Sequence, residues 1–376
     1  MKYIWQSDFW PEFFWDSEAL LSFLGKARHM QGNLLGRIRH LGFRLGEEAH
    51  RDMLTEETVK TAAIEGERLN PRMVRSSVVR HLGLEESGLI SSTRSVNGLV
   101  DVILDATQNY DQVLSSDRIK GWQAAFFSTG YSGLRKIRVG QWRGKEPMQI
   151  VSGPVGREKV HYEAMPGEKV DFEMKRFLRW WEKSRKNTDG ILRAGLAHFY
   201  FVIIHPFEDG NGRIARALTD MALAQDEKLG IRYYSLSSRI MEERNDYYDI
   251  LEKCSKREDT DVTEWLIWYL KCFMKAVMKS DKIIGRVLIK ADFWQEHAQD
   301  QINDRQKKVL NRMLDAGPGG FEGGLTTRKY VGMNKVSRAT AFREISDMVE
   351  KKILRQMPGK GRSVHYDLVW PLKDSV

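Results

Sequence analysis

The sequence predicts a mainly α-helical protein, and three observations carry that prediction. Apolar residues recur at three- and four-residue spacing along most of the chain, proline is held to 9 of 376 residues, and 41% apolar with 30% charged content suits helical domains with ordinary cores. The length admits two or three domains. No run of apolar residues is long enough for a membrane span, and Met1-Lys2-Tyr3-Ile4-Trp5-Gln6 lacks the features of a signal peptide, so cytoplasmic residence without a membrane partner is expected. Cys254 and Cys272 are too few for a disulfide framework and lack metal-site spacing, which leaves them as buried thiols. A net charge of +9 points to an anionic partner, nucleotide or nucleic acid alike.

Taken in order, Trp5, Phe9, Trp10, Phe13, Phe14 and Trp15 open the chain as an aromatic cluster expected to form a small core. Leu20, Leu21, Phe23, Leu24 and Ala27 mark the buried face of a helix from Ser17, and Leu34, Leu35, Ile38 and Leu41 mark a further one. The stretch from Glu57 to Glu67 reads as a short helix closed by Gly66, a residue suited to a C-cap. From Ser76 to about Tyr110 the helical pattern is broken at Gly88-Leu89, and Ile119, Trp122, Ala125 and Phe126 mark the next helix. Between Gly140 and Gly167 the period changes. Met148, Ile150, Val160 and Tyr162 alternate around Gly153-Pro154 as a β-hairpin does. Helical spacing returns over 168–185, and again over Thr263 to Lys279 with an extension to about Gln301.

The densest chemistry lies in His205-Pro206-Phe207-Glu208-Asp209-Gly210-Asn211-Gly212-Arg213-Ile214-Ala215-Arg216. Leu192, Leu196, Phe199, Tyr200 and Ile203 lead a helix into it, Pro206 stops that helix, and Ile214, Leu218 and Met221 lead another out. The stretch is therefore a tight loop at a helix N-terminus, where free backbone N–H groups attract anions and glycines admit a ligand to the backbone. Two arginines in that first turn oppose the bare helix dipole and make sense with an anion present. An ordinary Asp-Gly-Asn-Gly turn leaves the His, the Phe and both Arg unexplained. A calcium loop fails because Arg213 stands where an oxygen ligand belongs.

These twelve residues resemble the Fic-domain signature H-x-F-x-[D/E]-G-N-G-R-x-x-R at every fixed position. The resemblance implies a Fic helical core over residues 86–300 with the signature at 205–216, and a reaction that transfers AMP from ATP to a Ser, Thr or Tyr hydroxyl of a target protein. His205 is then the general base and Asp209 the ligand of Mg²⁺. Gly210, Asn211, Gly212 and Arg213 meet the phosphates, and Arg216 holds the γ-phosphate. Thr61, Glu65 and Gly66 resemble the inhibitory motif [S/T]-x-x-x-E-[G/N] of the same family, which places an inhibitory helix at about 57–67 in a helical N-terminal domain, residues 1–85. Its Glu65 is expected on Arg216. The hairpin at about 147–163 resembles the flap that lays a target segment down by strand addition, with Ile150 and Val160 as docking positions. Adenine contacts are expected among Tyr233, Tyr234, Asn245 and Tyr248. Gln123 stands where many relatives carry a His.

From Arg305 the chain changes character. Val309, Leu310 and Met313 start a helix, Leu325 to Val331 a second, and a turn at Gly332-Met333-Asn334 leads to a third that opens at the capping residue Ser337. Residues Met357 to Tyr366 read as a two-stranded wing. Residues 305–376 thus resemble a winged helix-turn-helix, in which Arg338, Thr340 and Arg343 face a DNA groove and Lys360 and Arg362 its backbone. Winged helices also pair proteins, so DNA and a second copy of the chain both stay open as partners. Two rivals to adenylyl transfer stand at this stage: another Fic chemistry, such as AMP removal or transfer of a different nucleotide or phosphocholine, and a nucleotide-sensing transcription regulator.

Overall fold

In the computed structural model, residues 3–39, 43–152, 159–358 and 364–370 are described, with the backbone alone at 43, 44, 150–152 and 159–161. Fourteen helices and three short antiparallel strand pairs among these residues bear out the mainly α prediction. The chain divides into two compact units, Met1–Ser280 and Asp281–Val376.

The first unit begins with α1 (Ser17–Ile38), whose N-terminal amides of Glu18 and Ala19 are capped by the Asp16 carboxylate. A second long helix, α2 (Phe43–Ile64), replaces the short one expected over 57–67; it runs twenty-two residues, with no proline between Phe43 and Ile64 to break it. It closes in a Schellman arrangement. Glu67 N–H donates to the Ala62 carbonyl at 3.1 Å and Gly66 N–H to that of Ala63 at 3.0 Å, with Gly66 left-handed at φ 84°. Glu65 is therefore the last residue before the chain turns.

There follow α3 (Pro71–His81), α4 (Arg94–Gln108) and α5 (Ser116–Phe126), then a small hairpin, β1 (Tyr131–Ser132) with β2 (Arg135–Lys136), which periodicity alone did not announce. The expected hairpin is formed by β3 (Gln149–Ser152) and β4 (Lys159–Glu163), Ile150 facing Tyr162 and Val151 facing Val160 across a bulge. Residues 153–158 of the flap, and the side chains of Ile150 and Val160, lie outside the described residues. Helices α6 (Val170–Asn187), α7 (Gly190–Ile204), α8 (Asn211–Glu227), α9 (Leu236–Glu242), α10 (Arg244–Ser255) and, up to Ser280, α11 (Thr263–Glu296) complete this unit.

The centre of this unit is α7, buried along its whole length from Ile191 to Ile204. The opening aromatics do not make a core of their own. Trp10 and Phe13 pack edge-on against Tyr200 of α7 at 5.2 and 5.4 Å, and Trp5 donates through its indole N–H to the Glu163 carbonyl at 3.0 Å. Burying these rings against the predominantly apolar α7 removes more of their surface from water than clustering them alone. Among the described residues no helix is long and apolar enough to cross a membrane.

Two histidines sealed in this unit make its stability acid-sensitive. Burial pushes His50 down to about 4 and His198 to about 3 from the ordinary 6.5, the latter aided by the Arg216 charge. The folded state therefore binds these protons later than the unfolded chain does. Their contribution is complete above pH 6.5 and is lost as the pH falls toward 4, at up to about 1.4 kcal/mol per pH unit for each group. A thermal midpoint lower at pH 5 than at pH 7, with His198→Gln flattening the difference, is the expected result.

In the second unit, α12 (Asp304–Ala316), α13 (Thr327–Asn334) and α14 (Arg338–Glu350) precede an antiparallel pair, β5 (Leu354–Gln356) with β6 (Tyr366–Leu368), and Leu325 adds a bridge to Tyr366. Its core is formed by Val309, Leu310, Met313, Tyr330, Ala341, Ile345, Met348 and Leu354 among others. The turn between α13 and α14 falls at 335–337, after the Gly332-Met333-Asn334 where it was expected, because α13 runs on to Asn334 and Lys335 closes it in the left-handed conformation at φ 54°. The β5 and β6 strands flank the stretch read as a wing. Lys360 and Arg362 lie outside the described residues.

Candidate active site

The loop between α7 and α8 lines a cavity of 680 Å³ with His205, Glu208, Asp209, Gly210, Asn211 and Gly212; Glu65, Asn245 and Tyr248 face it from elsewhere in the unit. Helix α7 ends where His205 turns left-handed, φ 50°, an uncommon conformation for a residue with a side chain. Arg143 holds it there. Its Nε donates to the His205 carbonyl at 2.8 Å, a second guanidinium nitrogen donates to the Met165 carbonyl, and its own N–H reaches the Pro206 carbonyl at 2.8 Å. From the other side Tyr162 donates to the Ile203 carbonyl at 2.7 Å.

His205 Nδ1 lies 3.2 Å from the Val202 carbonyl. A carbonyl only accepts, so Nδ1 carries the proton and Nε2 presents a lone pair. Burial depresses the imidazole to about 4, against the Val202 hydrogen bond and with the Arg143 charge assisting. The ring is thus neutral at physiological pH by a wide margin, where an ordinary imidazole is neutral by a narrow one.

Phe207 is fully buried against Trp142, ring centroids 4.8 Å apart. Asn211 differs from expectation. Its Oδ1 accepts from the Phe207 N–H at 2.9 Å and its Nδ2 donates to the Phe207 carbonyl at 2.8 Å, so the amide closes the loop on itself instead of offering a donor to phosphate. Asn211→Ala leaves both backbone groups buried without partners and is expected to cost on the order of 2 kcal/mol or more, read as a lower denaturant midpoint.

Asp209 is about a third exposed. Its Oδ1 accepts from Gly210 N–H at 2.5 Å, and Ser132 of the small hairpin donates to Oδ2. Glu208 pairs with Arg135 and Arg138 at 3.8 and 3.7 Å, tying the same hairpin to the loop. Gln123 clamps this edge too, accepting from Gly140 N–H at 2.7 Å and donating to the Arg138 carbonyl at 3.3 Å. Gly210, φ 91°, caps α8; a β-carbon there would press on Phe127 at 3.1 Å.

Two arginines rise from the start of α8. Arg213 lies over Phe126 and Phe127, 5.0 and 4.9 Å from their ring centres, with Glu67 at 3.5 Å and Asp209 at 3.6 Å. Arg216 is almost fully buried. Its Nε donates to Thr61 Oγ1 at 2.6 Å and its Nη2 to Glu65 Oε1 at 2.8 Å and to the Thr61 carbonyl at 3.1 Å. Burial alone would lower this guanidinium, but Glu65 outweighs it and raises the pKa above the ordinary arginine value. The Glu65 carboxylate lies so close to Gly212 that a β-carbon there would stand 2.2 Å from Oε1. An acidic group thus occupies the α8 N-terminus, the place where an anion is favoured. Arg216 Nη1 and Arg213 Nε are buried and without a partner among the described residues.

Against this geometry the comparisons with known proteins are specific. The Fic/DOC family pattern matches residues 113–223, and a domain of unknown function, DUF4172, matches residues 3–84. A Fic family protein from Desulfovibrio desulfuricans G20 has a similar fold, TM-score 0.55 at 18% identity over 95% of this chain and 97% of that one. The chain carries a Fic/DOC domain.

Curated relatives include the "Probable protein adenylyltransferase aq_aa38" of Aquifex aeolicus, 28% identical over 95 residues, 24% of this chain and 30% of that protein. Protein adenylyltransferase fic-1 of Caenorhabditis elegans is 40% identical over 57 residues, 15% of this chain and 11% of its own length. The matches therefore span less than a third of either relative.

Around the Fic/DOC signature the expected residues divide. Asn245 and Tyr248 reach the cavity, joined by Arg244 and Tyr247, which were not anticipated. Tyr233 and Tyr234 do not. Both are buried, and Tyr234 donates to Glu227 Oε1 at 2.5 Å while stacked on Arg232, so they belong to the packing of α8 and not to the cavity wall. Arg244 Nε donates to the Ile64 carbonyl at 2.8 Å, pinning the end of α2 to α10. Arg143, Ser132, Arg244 and Glu67 are the residues that sequence reasoning missed. Arg143 and Arg244 bind backbone carbonyls, which no side-chain pattern marks.

Proposed function

We propose that this protein is a protein adenylyltransferase that transfers AMP from ATP to a Ser, Thr or Tyr hydroxyl of a target protein, restrained by its own Glu65. The observation that carries the reading is the buried Arg216 beside Gly212, whose Nη1 has no partner among the described residues while its Nη2 donates to Glu65.

His205 Nε2 takes the proton of the target hydroxyl, whose oxygen attacks the α-phosphorus; the bond to the β-phosphate oxygen breaks and pyrophosphate leaves. The base needs no pKa adjustment to be unprotonated, since burial already keeps it neutral. The Gly212 backbone N–H at the start of α8 and the Arg213 guanidinium receive phosphate oxygens, Gly210 admits them close to the backbone, and Arg216 receives the γ-phosphate once Glu65 has withdrawn. The donor set suits Mg²⁺. Asp209 offers a partly exposed carboxylate to the cavity, no group of three or more His, Cys, Asp or Glu gathers among the described residues, and Mg²⁺ takes its remaining ligands from water and phosphate. Bound there, it supplies charge neutralisation on the phosphates. Asn211 and Arg143 act on the loop and not on substrate, fixing the His205 and Phe207 backbone.

Arrival of the target is assigned to the β3–β4 hairpin, whose strands stand next to the cavity through Met148, Gln149 and Tyr162. The test is intact-mass spectrometry of Glu65→Gly protein with ATP and Mg²⁺. A gain in steps of one AMP, on the protein or on a lysate bait, is the expected result. No gain with any nucleoside triphosphate overturns the reading, and a gain with a different nucleotide reassigns the substrate.

A further inference from the structure

The second unit carries chemistry that the proposed transfer reaction does not use. Residues 281–376 hold 18 Lys and Arg against 12 Asp and Glu, so this quarter of the chain carries an excess of +6 within the overall +9. Of the acidic groups on α14, Glu344 and Asp347 are already engaged, and Glu350 stands at its C-terminal end, away from the first two turns. Glu344 is buried between Arg305 and the Tyr330 hydroxyl, which donates to it at 2.6 Å, and Asp347 pairs with Lys351 at 2.8 Å.

Helix α14 follows α13 after a three-residue turn, and its faces are sharply divided. Ala341, Glu344, Ile345 and Met348 are buried, while Arg338, Ala339, Phe342 and Arg343 are exposed. At 100° per residue, Arg338, Phe342, Ala339 and Arg343 fall in that order along one arc of roughly 140°. Phe342 is 62% exposed. Arg338 and Arg343 enter no ion pair among the described residues, and neither does Lys335 in the turn before them. A single exposed apolar residue is ordinary. One lying between two unpaired arginines on the first two turns of the second helix of a helix-turn-helix has a specific chemical complement: the major groove offers phosphates and guanine edges to arginine, and the thymine methyl to an aromatic ring. Thr340, expected on that face, is turned back to the cap instead, its hydroxyl 2.9 Å from that of Ser337.

We propose that the second unit binds duplex DNA with α14 in the major groove, reading a thymine methyl through Phe342 and anchored by Arg338 and Arg343. The observations fit DNA better than a second protein because the first two turns of the exposed face unite positive charge without acidic partners and an apolar ring able to meet one methyl, the exposed Glu350 on the same arc lying at the far end of the helix.

The experiment selects binders from a random-sequence duplex library with the full chain, then measures the selected duplexes by fluorescence anisotropy. Enriched sites are expected to contain a thymine whose replacement by deoxyuridine weakens binding about four-fold, the worth of one buried methyl. Phe342→Ala, a surface change that leaves the core intact, should bind both duplexes equally. Arg338→Ala and Arg343→Ala should each flatten the dependence of log affinity on log salt by about one. Absence of any enriched sequence overturns the proposal, as does equal sensitivity of wild type and Phe342→Ala to deoxyuridine. So does self-association that Phe342→Ala abolishes without any DNA being bound.

Discussion

Glu65→Gly protein is expected to modify its target on the order of 5 to 150 times faster than wild type, the range that a coupling of 1–3 kcal/mol covers. The carboxylate accepts from Arg216 at 2.8 Å and crowds Gly212, so it occupies both the guanidinium and the helix N-terminus that a triphosphate needs. Its own position is not a comfortable one: Glu65 ends α2, where the helix dipole disfavours negative charge, and finds compensation only at the start of α8. Removing it has a second consequence of opposite sign. Arg216 is left as a buried cation without its anion, so the free Glu65→Gly protein should melt below wild type while ATP raises its midpoint more than it raises that of wild type. Activity and ATP-induced stabilisation that both stay at wild-type levels would remove Glu65 from the regulation.

His205→Ala in the Glu65→Gly background is expected to lose a factor of about 10² to 10⁴ in kcat/KM while ATP still shifts the melting midpoint, because the imidazole takes a proton and binds no phosphate. The pH profile adds a sharper test. A base of ordinary pKa would halve kcat/KM near pH 6.5, whereas His205, held at about 4 by burial, remains unprotonated, so the rate should be flat from pH 8 to 6 and decline only as the pH falls toward 4. Measuring kcat/KM at pH 6 and 8 on a target stable at both decides between the two. A fall by half or more at pH 6 would mean that water enters the His205 site and restores the imidazole's ordinary affinity for protons.

Much of this was legible in the sequence. The signature residues 205–216 are contiguous, and a glycine-rich loop before an apolar helix implies its own geometry. The flap strands appeared where the period changed from helical to alternating, and Glu65 was found on Arg216, 151 residues away, as the family resemblance implied. Other expectations failed for identifiable reasons. Asn211 looks like a phosphate donor by type, but its amide matches the geometry of the Phe207 peptide group closely enough to close the loop. Tyr233 and Tyr234 stand near the site in sequence and face the wrong way in space, since extended chain offers no periodicity from which a direction could be read. The two-residue strands of the small hairpin are too short to show alternation, yet they bring Ser132 to Asp209.

The sequence by itself determined the kind of chemistry: a base, a carboxylate, two glycines and two arginines in one loop, and a helical scaffold able to hold them. Only the tertiary structure decided how those groups are set, because their state depends on neighbours distant in the chain. Arg143 fixes the His205 backbone through carbonyl contacts, burial sets the imidazole's proton affinity, and the end of α2 is pinned by Arg244 so that Glu65 meets Arg216. Hydrogen bonds to backbone carbonyls and the desolvation of a ring leave no mark on residue spacing. They arise when helices with apolar faces pack, and spacing records which face is buried without recording what it will meet.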